Sequence, residues 1–144
     1  MYHAAICAAL LVVAGVANVA AAEQVTLYNV AAGDHFVDLG QDGGAGNMIL
    51  WNSDMQDEQG NKLGTGAGTC IRLDAPGNHM CNLTIHHDGH GTIIVSGVQV
   101  VEPAASTLTI VGGTGDYQGA TGTVRSTPVE DRARFKYEID YRTD

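Results

Sequence analysis

The chain has 144 residues and a formal net charge of −9. That length leaves room for one domain with one modest core. The acidity argues against nucleic acid and anionic membranes as partners, since both call for a basic surface. Residues 4–17 form a run of small apolar side chains, and Ala20-Ala21-Ala22 before Glu23 offers a small-residue cleavage site. This is the form of a secretory signal peptide. Residues 1–22 are expected to be that leader and residues 23–144 the single domain of a secreted or periplasmic protein, with no membrane contact after cleavage. The leader contains no Asp, Glu, Lys or Arg, so the whole formal charge falls on the mature chain. The missing Lys and Arg leave an uncleaved anchor as the alternative.

The remainder reads as short β-strands separated by turn formers. Candidate strands cover 25–30, 35–39, 47–52, 63–73, 81–87, 92–101, 107–111, 120–126 and 133–141. Between them stand Asp42-Gly43-Gly44, Gly60-Asn61, Pro76-Gly77-Asn78, Asp88-Gly89 and a glycine cluster after Val111. Each is a good turn former. No amphipathic helix interrupts them, which points to an antiparallel barrel or sandwich, and a barrel would leave no exposed edges. The last strand alternates most clearly. Phe135, Tyr137, Ile139 and Tyr141 fall on one face, and Arg134, Lys136, Glu138 and Asp140 on the other.

Beyond the leader, two cysteines remain, Cys70 and Cys81, flanking the turn-rich 74–78 segment. In an exported chain an even pair across a hairpin is expected to form a disulfide, stabilising by roughly 2–3 kcal/mol on the chain-entropy argument. Reactive free thiols are the alternative. His86, His87, Asp88 and His90, with His79 nearby, contain ligand types suited to zinc or copper. Adjacent His86 and His87 must point to opposite faces of a strand, however, so His86 and His90 are only weak metal candidates and no metal or other cofactor is expected.

The glycine cluster carries the strongest signal. Gly112-Gly113-Thr114-Gly115, then Tyr117, then Ala120-Thr121-Gly122, lie between two β-rich runs. A loose similarity of Gly113-Thr114-Gly115 to a dinucleotide loop is set aside, because no helix pattern follows for the glycines to cap. The cluster resembles the signature of the allene oxide cyclase and dirigent barrels. Gly46-Asn47-Met48-Ile49-Leu50-Trp51, Leu63-Gly64 through Gly68-Thr69-Cys70, and Gly91-Thr92-Ile93-Ile94-Val95-Ser96-Gly97 are similar to other strands of that superfamily, in the same order.

The resemblance implies an all-β, closed antiparallel eight-stranded barrel whose lumen binds an apolar or aromatic small molecule. It implies cyclisation, isomerisation or guided coupling by containment, without a redox or metal cofactor, and a homotrimer or homodimer. A non-catalytic carrier and a structural barrel with a filled lumen are the alternatives. The families' catalytic residues do not carry over. The first strand, read as 25–31, has no carboxylate; Asn29 and Ala31 stand at the plant cyclase positions, Ser53 at its asparagine, and Cys70 at its pocket cysteine. Asn29, Asp38, Ser53 and Arg72 are therefore weak catalytic candidates. Trp51 matches the family's inward aromatic, which by strand parity puts Asn47 and Ile49 on its face; with Phe135, Tyr137 and Tyr141 on the apolar face of the last strand, these are the candidate ligand-binding residues.

Overall fold

The computed structural model describes residues 21–40, 44–73, 77–100 and 105–143. All but the last two residues of the expected leader lie outside this set, as do parts of the turns at 42–44 and 74–78. The described chain forms eight strands: β1 (Glu23–Val37), β2 (Met48–Gln56), β3 (Lys62–Arg72), β4 (His79–His87), β5 (Gly91–Gln99), β6 (Ser106–Gly113), β7 (Thr121–Val129) and β8 (Arg134–Arg142). They pair in sequence order into a closed barrel. All eight pairings are antiparallel.

Two of the nine expected strands are one. Segments 25–30 and 35–39 belong to β1, which pairs through 23–29 with β8 and through 28–37 with β2, closing the barrel. What reads as a break is a bulge: Ala31 stands opposite Ser53 and Gly33 opposite Asn52, so Ala32 is extra. A glycine inside a strand often marks such a bulge. The bulge shifts the inward parity from Asn29 and Ala31 to Asp34.

Alternation explains the rest. In β4, Cys81, Leu83 and Ile85 are buried while Asn82, Thr84 and His86 are exposed. Inward side chains of this kind, including Leu27, Met55, Ile93, Val124 and Ile139, fill one half of the lumen, each contributing ~1.5–3 kcal/mol by burial. At that end Tyr117 and Tyr141 pack edge to face, their ring centroids 5.2 Å apart, and close the floor. The opposite end, where β2 and β8 begin and β3 and β5 finish, is the mouth. Cys70 and Cys81 are directly opposite on β3 and β4 and are joined as a disulfide near that mouth.

Outside the barrel, one row of facing positions is apolar across five neighbouring strands: Val37, Met48, Ile71, Met80 and Val98. Four of these five are among the most exposed large hydrophobic residues of the chain.

Candidate functional site

The mouth opens into a cavity of about 240 Å³. This is below the ~300–1,000 Å³ of drug-sized ligand sites, so the cavity suits a small molecule. Trp51 forms one wall, and its position is set from across the sheet. Its partner on β3 is Gly68, with Gly66 and Gly64 next on the same inward row. A Cβ placed on Gly68 would lie 2.6 Å from the Trp51 ring, and one on Gly66 would lie 2.2 Å from Met55 Cε. The alternating glycines of β3 thus make the bed on which the β2 side chains lie. Ile49 and Cys70, paired across the same two strands, extend that wall toward the rim.

Tyr137 and Phe135 from β8, on the other side of β1, continue the wall. Asn29 Nδ2 donates to the Tyr137 hydroxyl at 2.6 Å, and both residues are buried. Burial pushes the Tyr137 pKa up to about 12, while the Asn29 contact works weakly against that rise. At neutral pH the phenol is therefore a fixed proton donor and not a base. Asp34, carried to the inward face by the β1 bulge, stands opposite Trp51 and lines the cavity from an exposed position. His79, Gln99 and Ala133 complete the rim.

The other sequence candidates lie elsewhere. Asn47 is buried in the turn before β2, where its Oδ1 accepts the Leu39 N–H at 2.8 Å, and it does not line the cavity. Ser53 sits deeper than Trp51 on the same face, buried, with its Oγ unpartnered among the described residues. Arg72 ends β3 and packs on the 44–47 turn, within 3.1 Å of a Cβ built on Gly44. Asp38 lies beyond β1, exposed, with Oδ1 accepting the Gly40 N–H in a turn. Tyr141 shares the inward face of β8 but lies at the floor, where its hydroxyl donates to Glu23 Oε2 at 2.9 Å. Burial, followed by that carboxylate, raises its pKa to about 12.

The sequence reading missed Asp34, the charged residue of the site, along with Gln99, Val100 and Ala133 at its rim. Reading the first strand as 25–31 left it without a carboxylate; the continuous β1 carries Asp34 at the cavity and Glu23 at the floor. The Ala31-Ala32-Gly33 step was the available signal, since small residues in a strand mark a bulge as readily as an end.

His86, His87 and His90 gather at the floor, away from His79 at the mouth. His86 faces outward, with Nδ1 3.1 Å from Thr92 Oγ1 and Nε2 3.5 Å from an Asp88 oxygen. His90 Nδ1 is 2.9 Å from Asp116 Oδ2 and its ring stacks on His87 at 4.3 Å. His87 Nδ1 lies 2.7 Å from the Tyr117 hydroxyl. Burial and then the neighbouring His90 hold the His87 pKa below its ordinary value, while burial and Asp116 raise that of Tyr117. At neutral pH an uncharged imidazole and an uncharged phenol thus share this hydrogen bond. Among the described residues no three His, Cys, Asp or Glu side chains converge as a metal-binding group.

The closed eight-stranded barrel with a glycine corner between β6 and β7 can now be set beside known proteins. The family model of the allene oxide cyclase barrel like domain matches residues 18–140. The chain belongs to that family. Among solved structures it is similar to a pyocyanin demethylase, at 26% identity and a TM-score of 0.73, over 83% of this chain and 99% of that one. It is similar in fold to a pterocarpan synthase dirigent protein, at 13% identity and a TM-score of 0.69, over 86% and 97% of the two chains. A Diels-Alderase from Streptomyces koyangensis matches at 15% identity and a TM-score of 0.65, over 85% and 69%. A search of curated protein sequences finds no match.

Proposed function

We propose that this barrel binds an apolar or aromatic small molecule in its mouth cavity and guides that molecule's isomerisation, cyclisation or coupling. The observation that carries the reading is the half-filled lumen: the floor is packed, while the mouth keeps a cavity walled by Trp51, Ile49, Phe135 and Tyr137. A purely structural barrel would have filled it with side chains. The working groups are few. Tyr137, oriented by Asn29, donates a hydrogen bond or a proton; Asp34 at the rim is the carboxylate able to accept one. Together they supply the acid and base for moving a proton from one site to another on a bound ring system, and the walls hold it in one conformation away from water. The likeness to a demethylase of pyocyanin, at 26% identity over nearly the whole domain, supports small-molecule chemistry in this cavity.

An exported, oxidising compartment is proposed on the disulfide and the leader-like N-terminus. Self-association as a homotrimer or homodimer is proposed through the outer apolar row, an uncharged face on a chain whose net charge of −9 otherwise keeps copies apart. The function is tested by native mass spectrometry of the chain isolated without organic solvent, followed by incubation with each molecule it carries. A retained aromatic or polyunsaturated molecule converted to an isomer supports guided chemistry. A retained molecule released unchanged supports carriage instead, and a chain that retains and takes up none contradicts both.

A further inference from the structure

We infer that the Cys70–Cys81 bridge is a redox switch for the mouth cavity, a role that rests on the ligand-binding reading of that cavity. Oxidised, the bridge leaves the cavity open to a ligand; reduced, it places a thiol inside. The two sulfurs do not stand alike. Cys70 follows Gly64, Gly66 and Gly68 on the inward row of β3, so it is the first side chain after the glycine bed, and it lines the cavity. Cys81, directly opposite on β4, is fully buried in the core. Its partner on β5 is Gly97, and its sulfur lies 3.6 Å from Oε1 of Gln99, which itself lines the cavity. The bridge thus has packed core on one side and the ligand space on the other.

Reduction breaks the S–S bond: two electrons and two protons enter, and one bridge becomes two thiols. A low-molecular-weight thiol supplies them and leaves as its own disulfide. The sulfurs then need nonbonded spacing, roughly 1.5 Å more than the covalent bond required. A close-packed interior does not yield that far, so Cys81 stays and the Cys70 thiol takes the displacement, toward the cavity. Cys81 also gains an S–H, a weak donor for which Gln99 Oε1 is already in place. Two lining side chains change at once: Cys70 enters the ligand space and Gln99 is drawn to the wall. In a cavity of about 240 Å³, crowding of this kind lowers affinity by the order of tenfold. The coupling is reciprocal, since a ligand that prefers the oxidised barrel protects the bridge from reduction by the same factor. The mouth therefore binds poorly in a reducing compartment and well in an oxidising one, and ligand uptake follows export.

The test compares calorimetric titrations of 1-naphthol and quinoline into the oxidised chain and into the chain reduced with a phosphine, at about pH 7, where ordinary cysteines are protonated thiols. Near-ultraviolet circular dichroism reports whether the reduced barrel stays folded. Both probes are expected to bind the oxidised chain about tenfold more tightly. In glutathione buffers, saturating 1-naphthol should move the dithiol–disulfide midpoint about 30 mV more negative, which is the same tenfold for two electrons. The double variant Cys70→Ala with Cys81→Ala has neither bridge nor thiol and should keep the oxidised affinity within about twofold. Equal affinities in the two folded states, an unmoved midpoint, or unfolding on reduction would overturn the switch. So would a double variant as weak as the reduced chain, because the loss would then come from the missing bridge and not from the thiol. If neither probe binds the oxidised chain, the ligand-binding reading fails, and the switch with it.

Discussion

Trp51 and Tyr137 show how a single side chain gains a fixed place in a lumen. The indole keeps its position because Gly68 and Gly66 across the strand have no Cβ to displace it. The phenol keeps its position because Asn29 donates to it inside the barrel, where an unmade hydrogen bond costs about 1–3 kcal/mol. Tyr137→Phe should therefore lower stability by ~1–2 kcal/mol, measured by denaturant unfolding, because Asn29 is left without its partner. The same variant should bind an aromatic ketone about fivefold more weakly while binding the matching hydrocarbon unchanged, since only the ketone accepts from the hydroxyl. Equal losses for both ligands would mean that the hydroxyl does not reach the ligand. Trp51 was legible from the family resemblance and Tyr137 from the alternation of the last strand. Tyr141 has the same parity as Tyr137 and yet closes the floor, because parity fixes the face of a strand and not the depth in the barrel. Asp34 was illegible for the converse reason: one extra residue in β1 reverses the parity of everything after it.

The elements are arranged so that the glycine corner braces the floor. Gly113 ends β6 with its backbone pressed between two others: an added Cβ would lie 2.4 Å from Tyr117 O and 2.8 Å from Thr92 O. Close approach, and not a positive φ, is what requires glycine there. Gly113→Val should destabilise by about 3 kcal/mol, lowering the melting temperature by roughly 10 °C, because both contacts are rigid backbone. A variant that melted like the parent and had lost only ligand binding would contradict this purely structural role. At the mouth, the Cys70–Cys81 bridge joins β3 to β4 beside the cavity wall, with Gln99 Oε1 3.6 Å from Cys81 Sγ. Strand number was obscured at one place only, where Ala31 to Gly33 has the composition of a turn and the geometry of a bulge. The family corner, by contrast, could be read directly, since its backbone contacts admit few residues other than glycine.

At the scale of the whole barrel the two ends are chemically distinct. Among the described residues, the mouth combines aromatic walls with the Asp34 carboxylate, and the floor combines stacked imidazoles with two phenols. His87 titrates below its ordinary value of 6.5 in the folded chain, owing first to burial and then to His90. The unfolded chain therefore takes up that proton first as pH falls. Its contribution to stability is complete above about pH 6.5, is lost as pH drops from there through the folded value, and levels off once both states are protonated. The melting temperature should fall between about pH 7 and pH 5, and His87→Gln should flatten that slope. An unchanged slope in the variant would place the pH sensitivity elsewhere. None of this reaches the mouth, where Tyr137 stays protonated across the same range. Whether the mouth holds a small aromatic ligand is read from the fluorescence of Trp51, the single tryptophan of the chain. Titration with small aromatic and polyunsaturated molecules should include some that quench or shift this emission saturably, with one site per chain and with the effect abolished on unfolding. A panel that produces only linear quenching, the same in the folded and unfolded chain, would mean that the mouth holds no such ligand.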